Sequence, residues 1–188
     1  RHNPYCSIEV GTYHGGSLSL ISQYSNMVFS IDIEPVEDRL PPMENVSFLT
    51  GNSTELLPKL FQALDEKNIA VNFVLIDGDH STEGVRRDIE VVLSYVPKQP
   101  MFVMFHDSFN PKCRAGILAA PWEDSRYVSW IDIDFVPGRI IQGENNVASG
   151  ELWGGLALAL LTPQPRSKKL VIQESARALY EMATKAAA

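Results

Sequence analysis

Cysteine is scarce in this chain: Cys6 and Cys113 are the only two among 188 residues. They stand in different parts of the sequence with no CxxC or Cys/His cluster around either, which excludes a disulfide framework or a thiolate zinc site and leaves two free thiols. Long apolar runs are absent too. None reaches the roughly 20 residues that span a bilayer, and the opening Arg1-His2-Asn3-Pro4 lacks the apolar core of a secretory signal. Basic blocks are also missing. The formal net charge is −7, which speaks against a nucleic acid or an anionic membrane as partner and suits a small neutral or cationic ligand. No internal repeat, low-complexity tract or linker interrupts the chain. These absences lead us to expect one cytoplasmic domain over residues 1–188, with self-association left open. A strand-like segment within the first ten residues leaves room for a helical segment before it.

What is present is enough apolar material for a core, 45% of residues, arranged in a recurring order. Short runs rich in β-branched and aromatic residues predict strands at Ser7–Val10, Val28–Ile33, Val46–Leu49, Asn72–Ile76 and Met101–Phe105. Segments with helical spacing lie between them, at about Ser17–Tyr24, Ser53–Lys67 and Thr82–Tyr95, the second opening on Ser53-Thr54-Glu55 as a cap. This alternation is that of a parallel sheet covered by helices on both faces. After Asp107 the rhythm changes. A short helix near Lys112–Ala120 precedes an alternating run Tyr127–Val136, a polar stretch Gly138–Gly150 and an apolar run Gly155–Leu161. The two runs read as an antiparallel pair, and Glu174–Lys185 as a final helix.

A glycine-rich turn, Ile8-Glu9-Val10-Gly11-Thr12-Tyr13-His14-Gly15-Gly16, directly follows the first strand. Glycines there let the backbone approach a ligand and enter the next helix tightly. The second strand ends in Ser30-Ile31-Asp32-Ile33, placing a carboxylate where it can accept both hydroxyls of an adenosine ribose. An ExGxxxG loop followed by a strand-terminal Asp resembles the cofactor site of class I methyltransferases. The resemblance implies a Rossmann-like fold with a mostly parallel seven-stranded sheet, an antiparallel edge hairpin and S-adenosylmethionine as cofactor. It further implies that Glu9, Gly11, Thr12, Tyr13 and Gly15 face the methionine part of the cofactor, and that Asp32 and Ile33 face its ribose. Asn52 and Ser53, after the third strand, would meet the adenine, although Asn52 stands where such enzymes usually carry an acid.

The fourth strand ends in Ile76-Asp77-Gly78-Asp79-His80 and the fifth in Phe105-His106-Asp107, so both clusters fall at the sheet edge where open α/β folds bind ligands. Two carboxylates from adjacent strand ends make an oxygen site suited to magnesium. The run from Ile76 to Glu90, with the His-Asp pair after it, is similar to a metal-dependent branch that includes macrolide sugar O-methyltransferases and the proteins named cephalosporin hydroxylases. By that similarity Asp77 and Asp107 bind the metal, Asp77 also lies beside the cofactor, and His80 is the general base. His106 replaces an acidic ligand of the sugar enzymes. Either it ligates through nitrogen, tilting preference from magnesium toward manganese, iron or another transition ion, or the site is weaker.

The expected activity is metal-assisted methyl transfer to a hydroxyl of a small acceptor such as a sugar, polyol or catechol-like ring. Competing readings are metal-independent transfer, a cofactor-binding module without chemistry, and an NAD-dependent oxidoreductase, which the missing G-x-G-x-x-G spacing disfavours. In the plainest reading Glu9 and Asp32 are solvated strand-end carboxylates, and His80, His106 and Asp107 cap neighbouring helices. Asp79 reads as a structural carboxylate and His14 as a loop histidine. Trp122, Trp130 and Trp153 read as core or pocket walls, and Arg139, Glu144 and Asn145 as contacts from the polar loop.

Overall fold

Eight strands form one sheet, in the order β10-β6-β9-β5-β4-β1-β2-β3 once they are numbered along the chain. The structure is a computed structural model describing residues 4–137, 141–142 and 152–187. The first five strands are β1 (Cys6–Val10), β2 (Met27–Asp32), β3 (Val46–Thr50), β4 (Phe73–Ile76) and β5 (Met101–His106), and all run parallel. β6 (Val128–Val136) and β9 (Leu156–Leu161) are the expected antiparallel pair. β9 is inserted between β5 and β6, antiparallel to both. The pair therefore does not form a free edge, because the two-residue strand β10 (Ile172–Gln173) adds parallel to β6 and brings the strand total to eight rather than seven. A small separate ribbon joins β7 (Ile141–Gln142) to β8 (Leu152–Trp153).

The register explains why short apolar runs suffice. Ile8, Val74, Val103, Ala159 and Ile131 line up across β1, β4, β5, β9 and β6, and each is 0–1% exposed. Each such burial of a branched side chain contributes on the order of 2 kcal/mol. The helices are α1 (Gly16–Tyr24), α2 (Ser53–Glu66), α3 (Thr82–Leu93), α4 (Pro111–Ala119) and α5 (Arg177–Ala187). Val85, Ile89 and Val92 form the buried stripe of α3.

The caps differ in part from the sequence reading. Asn52, not Ser53, caps α2, its side chain accepting from Thr54 N. Ser81 caps α3 through Gly84 N, and Asn110 caps α4 through Lys112 N and Cys113 N, so His80, His106 and Asp107 are left for other work. Cys6 and Cys113 are buried free thiols. Trp122 is core, donating to Ile117 O at 2.6 Å, and Trp130 is half-buried against Phe135.

Candidate active site

The carboxyl ends of β1 to β5 open into a cavity of ≈ 1160 Å³. Its floor is the glycine-rich loop. Gly11 has φ +87°, and a Cβ there would fall 2.1 Å from Asp77 O, so only glycine lets the loop cross the end of β4. Gly11 N donates to Ile31 O and Asp77 N to Val10 O, both at 2.8 Å, which ties the three strand ends together. Tyr13 holds φ 48°, an unusual conformation for a non-glycine residue. The Asp32 carboxylate accounts for it: Oδ2 accepts from Thr12 N at 2.9 Å and Tyr13 N at 3.0 Å, and Oδ1 accepts from Glu34 N at 3.0 Å. Burial pushes the Asp32 pKa up, but these amides and Arg39 together hold it below the ordinary value. Asp32 thus shapes the loop as well as lining the cavity.

Of the residues that the sequence reading assigns to a cofactor, Gly11, Thr12, Tyr13, Asp32, Ile33, Asn52, Ser53 and Asp77 line the cavity. Glu9 and Gly15 do not. Glu9 is completely buried beneath the loop, taking the Ser17 hydroxyl at 2.6 Å and the Ser30 hydroxyl at 3.4 Å. Burial drives its carboxyl up to about 7. Its side chain supports the loop from below instead of facing a ligand, and Gly15 serves as the left-handed entry to α1. His14 is on the cavity wall with its ring 3.8 Å from that of Tyr13. Arg139, Glu144 and Asn145 lie outside the described residues.

Four side chains from the ends of β4 and β5 close into a ring. His80 Nε2 is 3.2 Å from Asp77 Oδ1 and 3.4 Å from Asp107 Oδ2, while His106 Nδ1 is 3.2 Å and 3.1 Å from the same two oxygens. All four donor atoms lie within 4.8 Å of one another. Asp107 reaches the ring from φ 55°, and its Oδ1 is fixed by Gly154 N at 2.5 Å. Adjacent donors in a coordination shell of about 2.1 Å radius stand about 3 Å apart, so the ring's edges fit a divalent cation.

Asp107, then Asp77, pull the His106 pKa up to about 10, and Asp77 raises that of His80. Burial pushes the Asp77 carboxyl up, but His106 and His80 more than offset it and lower it overall. The Trp153 ring stands nearly perpendicular to that of His80, with ring centres 5.3 Å apart, and walls the cavity beside it. Asp79 borders the cavity but stands outside the ring, its Oδ1 accepting from Ser81 N at 2.8 Å.

Two contributors escape the sequence reading. Gly154, which positions Asp107, carries no local signal because its partner is 47 residues away. Asp88 lines the cavity from α3 while only 3% exposed. A signal for it exists: a carboxylate at 88 falls on the apolar stripe of Val85, Ile89 and Val92, where an acid needs a reason.

This sheet order, the loop under the cavity and the strand-end acids define a class I, Rossmann-like methyltransferase architecture. The chain belongs to the methyltransferase-domain family, whose model matches residues 8–108, just over half of the 188. Among curated proteins it is similar to an uncharacterised protein of Acanthamoeba polyphaga mimivirus, 28% identical over 111 residues, covering 53% of this chain and 50% of that protein. Among solved structures it is similar to the MycE methyltransferase of the mycinamycin biosynthetic pathway, in complex with Mg, S-adenosylhomocysteine and mycinamycin VI. That match has a TM-score of 0.55 at 13% identity and covers 88% of this chain and 47% of that one. The O-methyltransferase TomG of Streptomyces achromogenes, in complex with S-adenosylmethionine, matches with a TM-score of 0.55 at 16% identity over 85% of this chain and 74% of that one. At these identities the likeness to solved structures establishes the fold alone. The chain spans about half the length of the mimivirus protein and of MycE.

Proposed function

We propose that this chain, as a single domain over residues 1–188, transfers a methyl group from S-adenosylmethionine to a hydroxyl of a small acceptor with the help of a divalent cation. The observation that carries this reading is the ring of Asp77, His80, His106 and Asp107, set in the same cavity as the Asp32-pinned loop. Asp77, His106 and Asp107 hold the cation. The sulfonium donor arrives already activated, so the protein's task is to position the acceptor and remove its proton. A bound cation would orient a chelating acceptor and lower its pKa.

His80 takes that proton at Nε2, and the imidazolium that results is stabilised by Asp77 and Asp107 at 3.2 and 3.4 Å. Trp153 limits the ring's movement and keeps water from one side. Asp32 faces the nucleoside end of the donor, and the loop from Gly11 to Tyr13 that it pins faces the amino-acid end. The nitrogen of His106 favours manganese, iron or a similar transition ion over magnesium. The acceptor belongs to the sugar, polyol or catechol-like class. Among the described residues no helix is long and apolar enough to cross a membrane.

Calorimetric titration of S-adenosylhomocysteine tests the cavity, with wild type, Asp32→Ala and Asp77→Ala, each in cation and in chelator. Binding should weaken at least about tenfold in Asp32→Ala, from the lost loop and ribose contacts, and survive both chelation and Asp77→Ala. Manganese should bind wild type more tightly than magnesium and be lost from Asp77→Ala. Failure of folded wild type to bind the nucleoside would overturn the reading. Because each imidazole already pairs with two carboxylates, metal-independent transfer is the second reading, and activity that persists in chelator would establish it.

A further inference from the structure

Among the described acids that border the cavity, Asp88 is the buried one that neither the cation site nor the ribose contact uses. Asp88 is 3% exposed, and its Oδ1 accepts the Ser53 hydroxyl at 2.5 Å. Its Oδ2 accepts no hydrogen bond from any described residue. That oxygen lies toward the turn after β4, where a Cβ built on Gly78 would stand 3.6 Å from it. Ser53, Gly78 and Asp88 all border the cavity that Asp32 borders at the next strand end. The Asp88 Oδ2 oxygen keeps some accessible surface and so opens onto the cavity, where a ligand N–H can donate to it.

The other candidates near this wall are occupied. Asn52 spends its Oδ1 on the cap of α2, accepting from Thr54 N at 3.0 Å and Thr54 Oγ1 at 2.8 Å. Asp79 is exposed and accepts from Ser81 N, and Glu83, also exposed, is paired with Arg86 and Arg87, so neither offers the sheltered oxygen that Asp88 does.

We propose that Asp88 reads the amino edge of the cofactor's purine, accepting a hydrogen bond from its exocyclic amine in place of the acid missing at Asn52. This rests on the reading of the cavity as an S-adenosylmethionine site. An ionised carboxylate only accepts, so it favours a 6-amino purine and rejects a 6-oxo purine, which would turn oxygen toward oxygen. Burial, opposed by the Ser53 hydroxyl and reinforced by the charge of Asp79, raises the Asp88 pKa, as expected of a carboxylate that lacks its donor in the ligand-free protein.

The test compares S-adenosylhomocysteine with S-inosylhomocysteine, its 6-oxo analogue, by calorimetry on the full chain. Wild type should prefer the amino compound by about a hundredfold or more. Asp88→Asn, which can still hold Ser53 and can donate to a 6-oxo group, should weaken the amino compound at least about tenfold and bring the ratio of the two toward one. Equal weakening of both ligands would mark Asp88 as a structural residue and overturn the proposal. A wild-type ratio near one would do so without any variant. Binding of neither ligand by wild type would overturn the reading of the cavity, and this inference with it.

Discussion

Glu9 makes the fold answer to pH through one side chain. Its carboxyl is raised to about 7, above the ordinary 4.5, because it is sealed between the sheet and α1. A raised pKa means that the folded state holds the proton more tightly than the unfolded state. The stabilisation is therefore whole below about pH 4.5 and is lost as pH rises through about 7. Glu9→Gln keeps an acceptor for Ser17 and cannot ionise. Between about pH 5 and pH 8 the wild type should lose stability relative to Glu9→Gln, by up to about 3 kcal/mol, as read from urea unfolding at the two pH values. Parallel pH dependence in the two proteins would show that another group titrates. At this same scale Asp32 and Asp77 were legible in the sequence because a residue closing a parallel strand is placed by that strand alone. The direction in which Glu9 faces was not, since it depends on α1 folding back over the sheet.

The contact between α3 and α4 holds the two strand-end clusters at a fixed separation, since α3 begins just after His80 and α4 just after Asp107. It is a close one. A Cβ on Gly116 would come 2.6 Å from Thr82 O and 2.8 Å from Val85 Cβ, both on α3. Helix propensity alone favours alanine over glycine by about 1 kcal/mol, so the sign of Gly116→Ala discriminates between propensity and packing. We expect packing to win, with a net destabilisation of about 1–3 kcal/mol in urea unfolding. A more stable Gly116→Ala would mean that the helices have room to part. The helices themselves were legible, their ends within a few residues, because apolar spacing and turn residues are local. The caps were less so: Asn52 acts through one backbone amide and Asn110 through two, and a neighbouring serine offers the same chemistry on paper.

Across the whole molecule, one buried cation adds to the β5–β9 pairing in binding the last third of the chain to the first two thirds. Arg114 on α4 is 3% exposed and contacts Asp134 of β6 at 2.5 Å and Glu174, ahead of α5, at 2.7 Å. Its guanidinium also lies 4.1 Å from the ring centre of Tyr180 on α5. Arg114→Ala would leave Asp134 buried without its counter-ion, and we expect a loss of about 3–5 kcal/mol in chemical unfolding. Replacing both Arg114 and Asp134 with leucine should recover most of that loss. If the double variant is as unstable as the single one, the network stabilises by shape and not by charge pairing.

The sequence by itself determined the alternation of strands and helices, the glycine turn after the first strand and the placing of acids and histidines at strand ends. Each of these follows from the chemistry of a few consecutive residues, and the parallel crossovers then bring the strand ends to one edge. Only the tertiary structure decided that β9 enters between β5 and β6, that Asp77, His80, His106 and Asp107 close into one ring, and that Asp88 opens an oxygen into the cavity while Glu9 is turned away from it. Those outcomes depend on register and packing between segments far apart in the chain, and no local pattern of side chains encodes which oxygen of a carboxylate will be left facing the open space.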